Sequence, residues 1–167
     1  MKYRFLIIAF IIVSFCHAQV KINREATFIV DSITVTQEVF KKLNPNTIAA
    51  VSVYKDSTAI KLLGEQGKNG AIYVETKSFA KKRFRKYLSN KSAEYKKLFP
   101  NVDSDATAVY VLNGKVKTDN FEGDLALIDD TTFKSIKIID RKKLSKDYKI
   151  VDKEYGIIIV TTPTEGK

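Results

Sequence analysis

The chain is poor in the side chains that carry out most enzyme chemistry. Its 167 residues include no tryptophan, one cysteine and one histidine, and the last two are neighbours at Cys16 and His17. If the N-terminal segment is removed, no thiol and no imidazole remain. This excludes Ser-His-Asp and Cys-His catalysis, disulfides, and zinc or copper sites built on these residues. We therefore predict a non-enzymatic protein without a metal or other cofactor, and a hydrolase is disfavoured.

Residues 1–18 have the pattern of a secretory signal peptide. Two basic residues precede an apolar stretch, Phe5–Phe15, and small residues lead to a plausible cleavage site after Ala18. The apolar stretch is shorter than the roughly 20 residues that span a bilayer, which argues against an uncleaved anchor. Lipidation at Cys16 is the other alternative, but a phenylalanine precedes it where a small residue is expected. We predict an exported protein that is periplasmic or associated with the outer membrane.

Positive charge is concentrated in one segment. The formal net charge of the chain is +10, and removal of residues 1–18 leaves +8. Residues 78–99 contain eight basic residues and one acidic residue, so nearly all of the excess lies there. Apolar residues, among them Ala80, Phe84 and Leu88, recur in this segment at intervals of three and four, which places them on one face of a helix that packs inward. We therefore predict that residues 78–100 form a basic amphipathic helical linker, with a break near Ser89 and Asn90.

Two interpretations of the basic face of this linker remain open. It binds a polyanion such as anionic lipid, or an acidic partner, through its positive charge. Alternatively, it is a solvated surface whose apolar side packs on the core. Nucleic acid is not expected as a partner of an exported chain, and no small-molecule substrate is evident. The candidate surface residues are Lys81, Lys82, Arg83, Arg85, Lys86, Lys96 and Lys97.

The segments on either side of the linker show the same order of predicted elements, β-α-β-α-β. The first half comprises residues 19–77 and the second comprises residues 101–167. We predict an α/β or α+β fold with two duplicated halves, each with a small mixed sheet, joined by the basic helix.

The duplication is visible at the first and last strands of the two halves. Ile29 aligns with Val111 in the first strand, and Gly70 aligns with Gly156 at the start of the last one. The second copy has lost the other glycines of that region, so we describe it as degenerate.

A glycine-rich loop, "GEQGKNG" from Gly64 to Gly70, raises the possibility of a phosphate site. A Walker loop places its glycines after a strand and before a helix, whereas here a helix precedes the loop and a strand follows it. We therefore predict that Gly64 ends a helix with positive φ, and that Asn69 and Gly70 form a tight turn. We also predict that Asp56 or Ser57 caps the preceding helix.

The stretch Leu43–Lys77 resembles the plug domain of TonB-dependent outer-membrane receptors. The match runs without a gap over its 35 residues, but Leu63 replaces the family's tyrosine and Gln66 replaces its arginine. The motif positions are Pro45, Lys55, Asp56, Gly64, Gly67, Asn69 and Gly70, with Gly156 as their remnant in the second half.

The resemblance implies stand-alone plug-like modules without a barrel. The barrels of these receptors have about 22 strands of about 10 residues each, more than this chain can supply. The implied function is an envelope interaction module that binds an outer-membrane receptor, a TonB-like transducer or another protein of transport or envelope signalling. The alternative is a polyanion- or membrane-surface-binding protein that acts through the basic helix 78–99.

Overall fold

The computed structural model describes residues 26–162. The predictions for the signal peptide, Cys16 and His17 fall outside the described residues. The prediction that Asp56 or Ser57 caps a helix is wrong, because that helix already begins at Asp56 and its N-cap is Lys55.

The predicted fold class is confirmed: the chain has an α+β fold with two similar halves, each built on a mixed four-stranded sheet. The first sheet has the order β2-β1-β4-β3 and the second has the equivalent order β6-β5-β8-β7. The first half contains β1 (Thr27–Val30), β2 (Ile33–Val35), α1 (Gln37–Lys41), β3 (Ile48–Tyr54), α2 (Asp56–Leu63) and β4 (Ala71–Thr76). The linker contains α3 (Lys77–Lys91) and α4 (Ala93–Leu98), and the second half contains β5 (Ala108–Leu112), β6 (Lys115–Lys117), α5 (Glu122–Ala126), β7 (Phe133–Asp140), α6 (Arg141–Tyr148) and β8 (Tyr155–Thr161).

Each half contains one strand more than the sequence predicts. A hairpin opens each half, because β2 and β6 fold back antiparallel on β1 and β5. The turns contain Asp31 and Ser32 in one half and Asn113 and Gly114 in the other, all with positive φ. Each first turn residue also accepts a hydrogen bond from a backbone N–H at the end of the last strand. The two hairpins are therefore equivalent in geometry as well as in order.

From β3 onwards the two halves correspond residue by residue. Ile48 pairs with Thr76 in the first sheet, and Phe133 pairs with Thr161 in the second, so the offset is 85 residues at both positions. The same offset relates α2 to α6, and both sheets have a bulge at the start of β3 or β7. The predicted alignment of Gly70 with Gly156 is therefore wrong by one residue, since Gly156 corresponds to Ala71.

The glycines of the first half adopt the conformations that the loop requires, and the correspondence between the halves allows Gly64 to be compared with its counterpart. Gly64 ends α2 with φ of 62°, as predicted, and Lys149 adopts the same φ of 62° at the end of α6. Gly70 also has the expected positive φ, of 88°. At Gly67 a Cβ atom would lie 2.2 Å from the Ala59 carbonyl oxygen, so only glycine permits this approach to α2.

The linker is a helix pair rather than a free connection. α3 begins at Lys77 with Thr76 as its N-cap, and the break falls at Ser92 rather than at Ser89 and Asn90. Ser92 ends the first helix and caps the second, where its Oγ accepts a hydrogen bond from the Tyr95 N–H. The core of the second half is built largely by this pair, which contributes the buried residues Phe84, Leu88, Tyr95 and Phe99.

The halves also touch each other directly. A Cβ atom on Gly123 of α5 would lie 2.2 Å from the Ala49 carbonyl oxygen of β3. The glycine thus allows α5 of the second half to lie against the first part of β3.

Candidate functional site

The structure divides the seven predicted basic-surface residues into two groups. Four of them, Lys82, Lys86, Lys96 and Lys97, are exposed and form no ion pair within residues 26–162. The other three are held by acidic partners. Lys81 lies 3.4 Å from carboxylate oxygens of Asp103 and Asp105, the Arg83 Nη2 lies 2.7 Å from the Glu75 Oε2, and Arg85 is buried.

Arg85 does not belong to the basic surface, and its assignment there is corrected. It is 5% exposed, and its Nη1 lies 2.6 Å from the Asp105 Oδ2. Its Nη2 also donates a hydrogen bond to the Phe99 carbonyl at 2.9 Å. A buried guanidinium requires such partners because an uncompensated charge in the interior is very unfavourable. The sequence contained one relevant indication: Arg85 stands three residues before Leu88, on the helix face that packs inward.

Two tyrosines extend this buried network. The Tyr110 hydroxyl donates to the Asp105 Oδ2 at 2.6 Å and lies 2.7 Å from the Tyr95 hydroxyl. Burial raises the pKa of Tyr95 to about 12, and burial, Tyr95 and Asp105 all raise the pKa of Tyr110. Desolvation pulls the pKa of Arg85 down, but the facing carboxylate and tyrosines outweigh it and raise the pKa overall. The network therefore fixes protonation states and joins the linker to the second sheet.

The plug-motif residues shape loops of the first half. Pro45 opens a short 3₁₀ turn before β3, and Lys55 occupies the N-cap of α2 without a side-chain hydrogen bond. Asn69 and Gly70 lie just before β4, so the motif brings together backbone turns rather than a set of reactive side chains. Gly156 faces Ile139 and Leu144 in the second half.

The strands at the sheet edges differ in charge between the two halves, a feature that the sequence analysis missed. The second-half edge strands carry lysines, at 134 and 137 in β7 and at 115 and 117 in β6. The first-half edge strands, β2 (ITV) and β3 (IAAVSVY), contain no charged residue. By the offset of 85, Ala49 and Ser52 stand where β7 has its lysines. Only the alignment of the halves could have exposed this contrast.

The outer edge of β3 is open beyond its contact with α5. Within residues 26–162, the backbone of Val51–Val53 forms hydrogen bonds only in the pairing with β4. The two valines are 55% and 47% exposed. Edge strands of this kind are normally protected by lysines or by short length, because their free N–H and C=O groups can pair with another chain.

A cleft of about 380 Å³ lies beside this edge, between the first sheet and the segment that follows α5. The β3 residues Ala50, Ser52 and Tyr54 line it, and Leu62 and Leu127 form part of its wall while remaining 57% and 63% exposed. Its two ends differ, as the strand register shows. Ala50 pairs with Glu75, next to Arg83, whereas Tyr54 pairs with Ala71 near the apolar side chains of α2. The volume falls within the range of binding pockets.

Comparison of the chain with protein-family models, with curated proteins and with solved structures finds no match.

None of the helices within residues 26–162 combines the length and apolar character needed to cross a membrane. The same part of the chain holds no group of three or more His, Cys, Asp or Glu side chains that could bind a metal ion.

Proposed function

We propose that the chain is a non-enzymatic binding module of the cell envelope, and that an extended segment of a partner protein adds to the outer edge of β3 as a further strand. In this mode of recognition the main-chain hydrogen bonds provide affinity, and pockets for alternate side chains provide specificity.

The observation that carries the proposal is the absence of charge on the first-half edge strands. The two halves share their order, register and bulge, yet only the second carries lysines on its edges. Lysine on an edge prevents pairing with other chains because its charge cannot be buried there at low cost. The first half lacks this protection at its longest edge strand, which agrees with pairing as its role.

The cleft beside β3 supports the same mode of binding. Successive side chains of an added strand point to opposite faces of the sheet. Every second side chain of the added strand would enter the cleft beside Ser52. The remaining side chains would point to the opposite face of the sheet, near Val51 and Val53. The apolar wall at Leu62 and Leu127 favours a large apolar residue in the first set.

The location in the envelope rests on the sequence. The N-terminal pattern supports export, and the resemblance of Leu43–Lys77 to receptor plugs supports a partner in outer-membrane transport or envelope signalling. The motif residues of that stretch surround the loops at both ends of β3.

The test introduces into β3 the lysine that β7 already carries. Ser52→Lys and, as a matched control, Lys137→Ser would each be used with the wild type as bait in solubilised envelopes, and the captured proteins quantified. We expect at least one envelope protein to be retained by wild type and control, and reduced about tenfold or more by Ser52→Lys. Equal capture by all three baits would contradict strand addition.

A second test of the same proposal is direct. Once a partner is captured, hydrogen exchange of the Val51–Val53 amides is compared with and without it. Alternate amides of β3 point away from β4 and exchange with solvent, and an added strand that accepts their hydrogen bonds would protect them. Exchange at these positions that is unchanged by saturating partner would place the contact elsewhere.

The four exposed lysines of the linker favour a second candidate function, the binding of an anionic surface. Lys82 and Lys86 lie one turn apart on α3, and Lys96 and Lys97 lie on α4. Each basic residue near an anionic bilayer contributes about 1 kcal/mol of attraction.

The vesicle test uses two variants of equal charge. One replaces the four linker lysines by glutamine, and the control replaces the exposed Lys134, Lys137, Lys142 and Lys146. Vesicles with anionic lipid should bind the wild type and the control but not the linker variant. Similar binding by both variants would show only a general effect of net charge.

A further inference from the structure

We propose that the first sheet has a second docking surface, the face that carries Val51 and Val53, and that its occupant is an amphipathic helix with an acidic polar side from a partner protein. This inference is independent of strand addition, because it concerns a face of the sheet rather than its edge.

The second half shows how the equivalent face is covered. There α3, α4 and α5 pack over β5, β7 and β8, and Phe84, Leu88, Tyr95 and Phe99 are buried against Ile157 and Ile159. All four of the helix-pair residues are 2% exposed or less. The face is thus suited to an aromatic and aliphatic helix surface.

The first half has only a part of this cover. Its α1 is the counterpart of α5 by the same offset of 85, and it reaches the sheet through Phe40, whose ring centroid lies 4.6 Å from that of Phe28. α1 buries none of its residues, whereas α5 buries three. Within the described residues nothing in the first half corresponds to α3 and α4.

The exposed side chains on this face show which part of it no helix covers within the described residues. Val51 pairs with Val74 and Val53 with Ile72, so both valines share the face of these two buried residues. Their second-half counterparts, Ile136 and Ile138, are packed against the core that includes the helix pair. Two neighbouring valines about half exposed on a sheet face are therefore explained by a helix that the described residues of this half do not supply.

Charge at the margin of the face indicates the polar side of that helix. Among the side chains that the structure describes at this margin, Lys41 and Lys42 at the end of α1 and Lys55 after β3 are exposed, against one exposed acid, Glu38. The local excess of positive charge favours glutamate and aspartate on the occupant. The linker helices of another copy are basic and already packed on their own second half, which argues against a second copy of this chain.

The experiment uses two synthetic peptides with the sequence of residues 77–99. In the acidic peptide the exposed basic positions 82, 83, 86, 91, 96 and 97 are glutamate, and the other peptide is unaltered. Each is titrated, with a fluorescent label, into the wild-type chain, Val53→Lys, Val51→Lys and Ser52→Lys. The last is the matched control, since Ser52 lies on the opposite face of the same strand.

We expect the acidic peptide to bind the wild type and Ser52→Lys with similar affinity. Val53→Lys and Val51→Lys should each weaken binding about tenfold or more, because a charge is placed in an apolar contact. Circular dichroism would check that the variants fold, which is expected because Val51 and Val53 are exposed and Ser52 is partly exposed.

Three results would overturn the inference. The first is that the acidic peptide does not bind the wild type. The second is that Ser52→Lys and Val53→Lys weaken the binding of this peptide equally. The third is self-association of the chain that Val53→Lys abolishes, since the occupant would then be a second copy. Because Ser52→Lys blocks the edge but not the face, failure of strand addition and failure of this inference are distinguishable.

Discussion

At the scale of single residues, the most consequential side chain is a charged one that is buried. Arg85 lies in a segment dominated by exposed lysines, yet it is buried and joined to Asp105, which also accepts a hydrogen bond from Tyr110. Sequence periodicity correctly placed Phe84 and Leu88 inside. It could not show that the intervening arginine has a carboxylate partner 20 residues away, because that contact depends on the tertiary fold.

Replacing Arg85 should therefore impair stability rather than surface charge. Arg85→Met removes the buried cation and leaves the Asp105 carboxylate with only the longer contact to Lys81, at 3.4 Å. Removal of one member of a buried pair costs about 3–5 kcal/mol. Urea unfolding would measure the loss. Lys82→Met, on the exposed side of the same helix, is the matched control and should change the free energy of unfolding by less than about 0.5 kcal/mol. Similar values for the two variants would refute the structural role of Arg85.

The same network predicts how the fold responds to alkaline pH. The folded-state pKa of Tyr95 is raised to about 12 from a usual value of 10.0, and that of Tyr110 is raised as well. A raised pKa contributes stability that is fully present below the unfolded-state pKa and is lost as pH rises through the folded value. We therefore expect stability to decline as pH rises from about 10 to about 12.

Ultraviolet titration of tyrosinate with circular dichroism in parallel would test this. Ionisation of the buried Tyr95 and Tyr110 should coincide with unfolding. Tyr95→Phe retains the ring packing but removes one buried hydroxyl that ionises. The loss of stability above about pH 10 should therefore be smaller than in the wild type. A smooth titration of every tyrosine near pH 10 in a chain that remains folded would contradict the expectation.

At the scale of the elements, the strands were easier to predict than the pairing between them. The apolar alternation of β4 and β8 and the glycine at the end of α2 indicated the fold class and the duplication. The three-residue strands β2 and β6 are too short to show a period, so the hairpins were missed. The alignment was wrong by one because a conspicuous glycine, Gly156, occupies the position after the true counterpart of Gly70. The open edge of β3 could not be predicted before the register was known.

Charge on edge strands should control self-association. Removing the lysines of β7 with Lys134→Ala and Lys137→Ser gives that strand the residues found at the equivalent positions of β3. The variant should form larger species in light scattering than the wild type at the same concentration, because β7 then adds an uncharged edge to those of the first sheet. Lys142→Ala with Lys146→Ser removes the same charge from α6 and should leave association unchanged. Equal behaviour of the two double variants would attribute any change to net charge alone.

At the scale of the whole molecule, the linker belongs structurally to the second half. The largest core cluster combines residues of α3 and α4 with those of β5, α5 and β8, while the first-half clusters contain three buried residues each. The sequence pattern predicts a linker between two equivalent halves. The contacts show instead that, within residues 26–162, the helix pair covers the second sheet and has no counterpart on the first. No local pattern in the linker could indicate this.

This asymmetry should appear in hydrogen exchange. Amides of β5 and β8 should be the most protected, and those of β1 and β4 should exchange at lower free energies of opening, because local stability follows buried apolar contacts. Exchange under native conditions, read residue by residue by NMR, would measure both. Protection that is equal in the two sheets, or greater in the first, would contradict the inferred division of stability.

One buried pair in each half shows how two substitutions depend on each other. Ala59 and Ala71 in the first half correspond to Leu144 and Gly156 in the second, so a larger helix residue there faces a smaller strand residue. A Cβ atom on Gly156 would lie 2.9 Å from the Leu144 Cδ1, which is closer than side chains tolerate. Gly156→Ala alone would therefore overpack this site, whereas Gly156→Ala combined with Leu144→Ala relieves that contact.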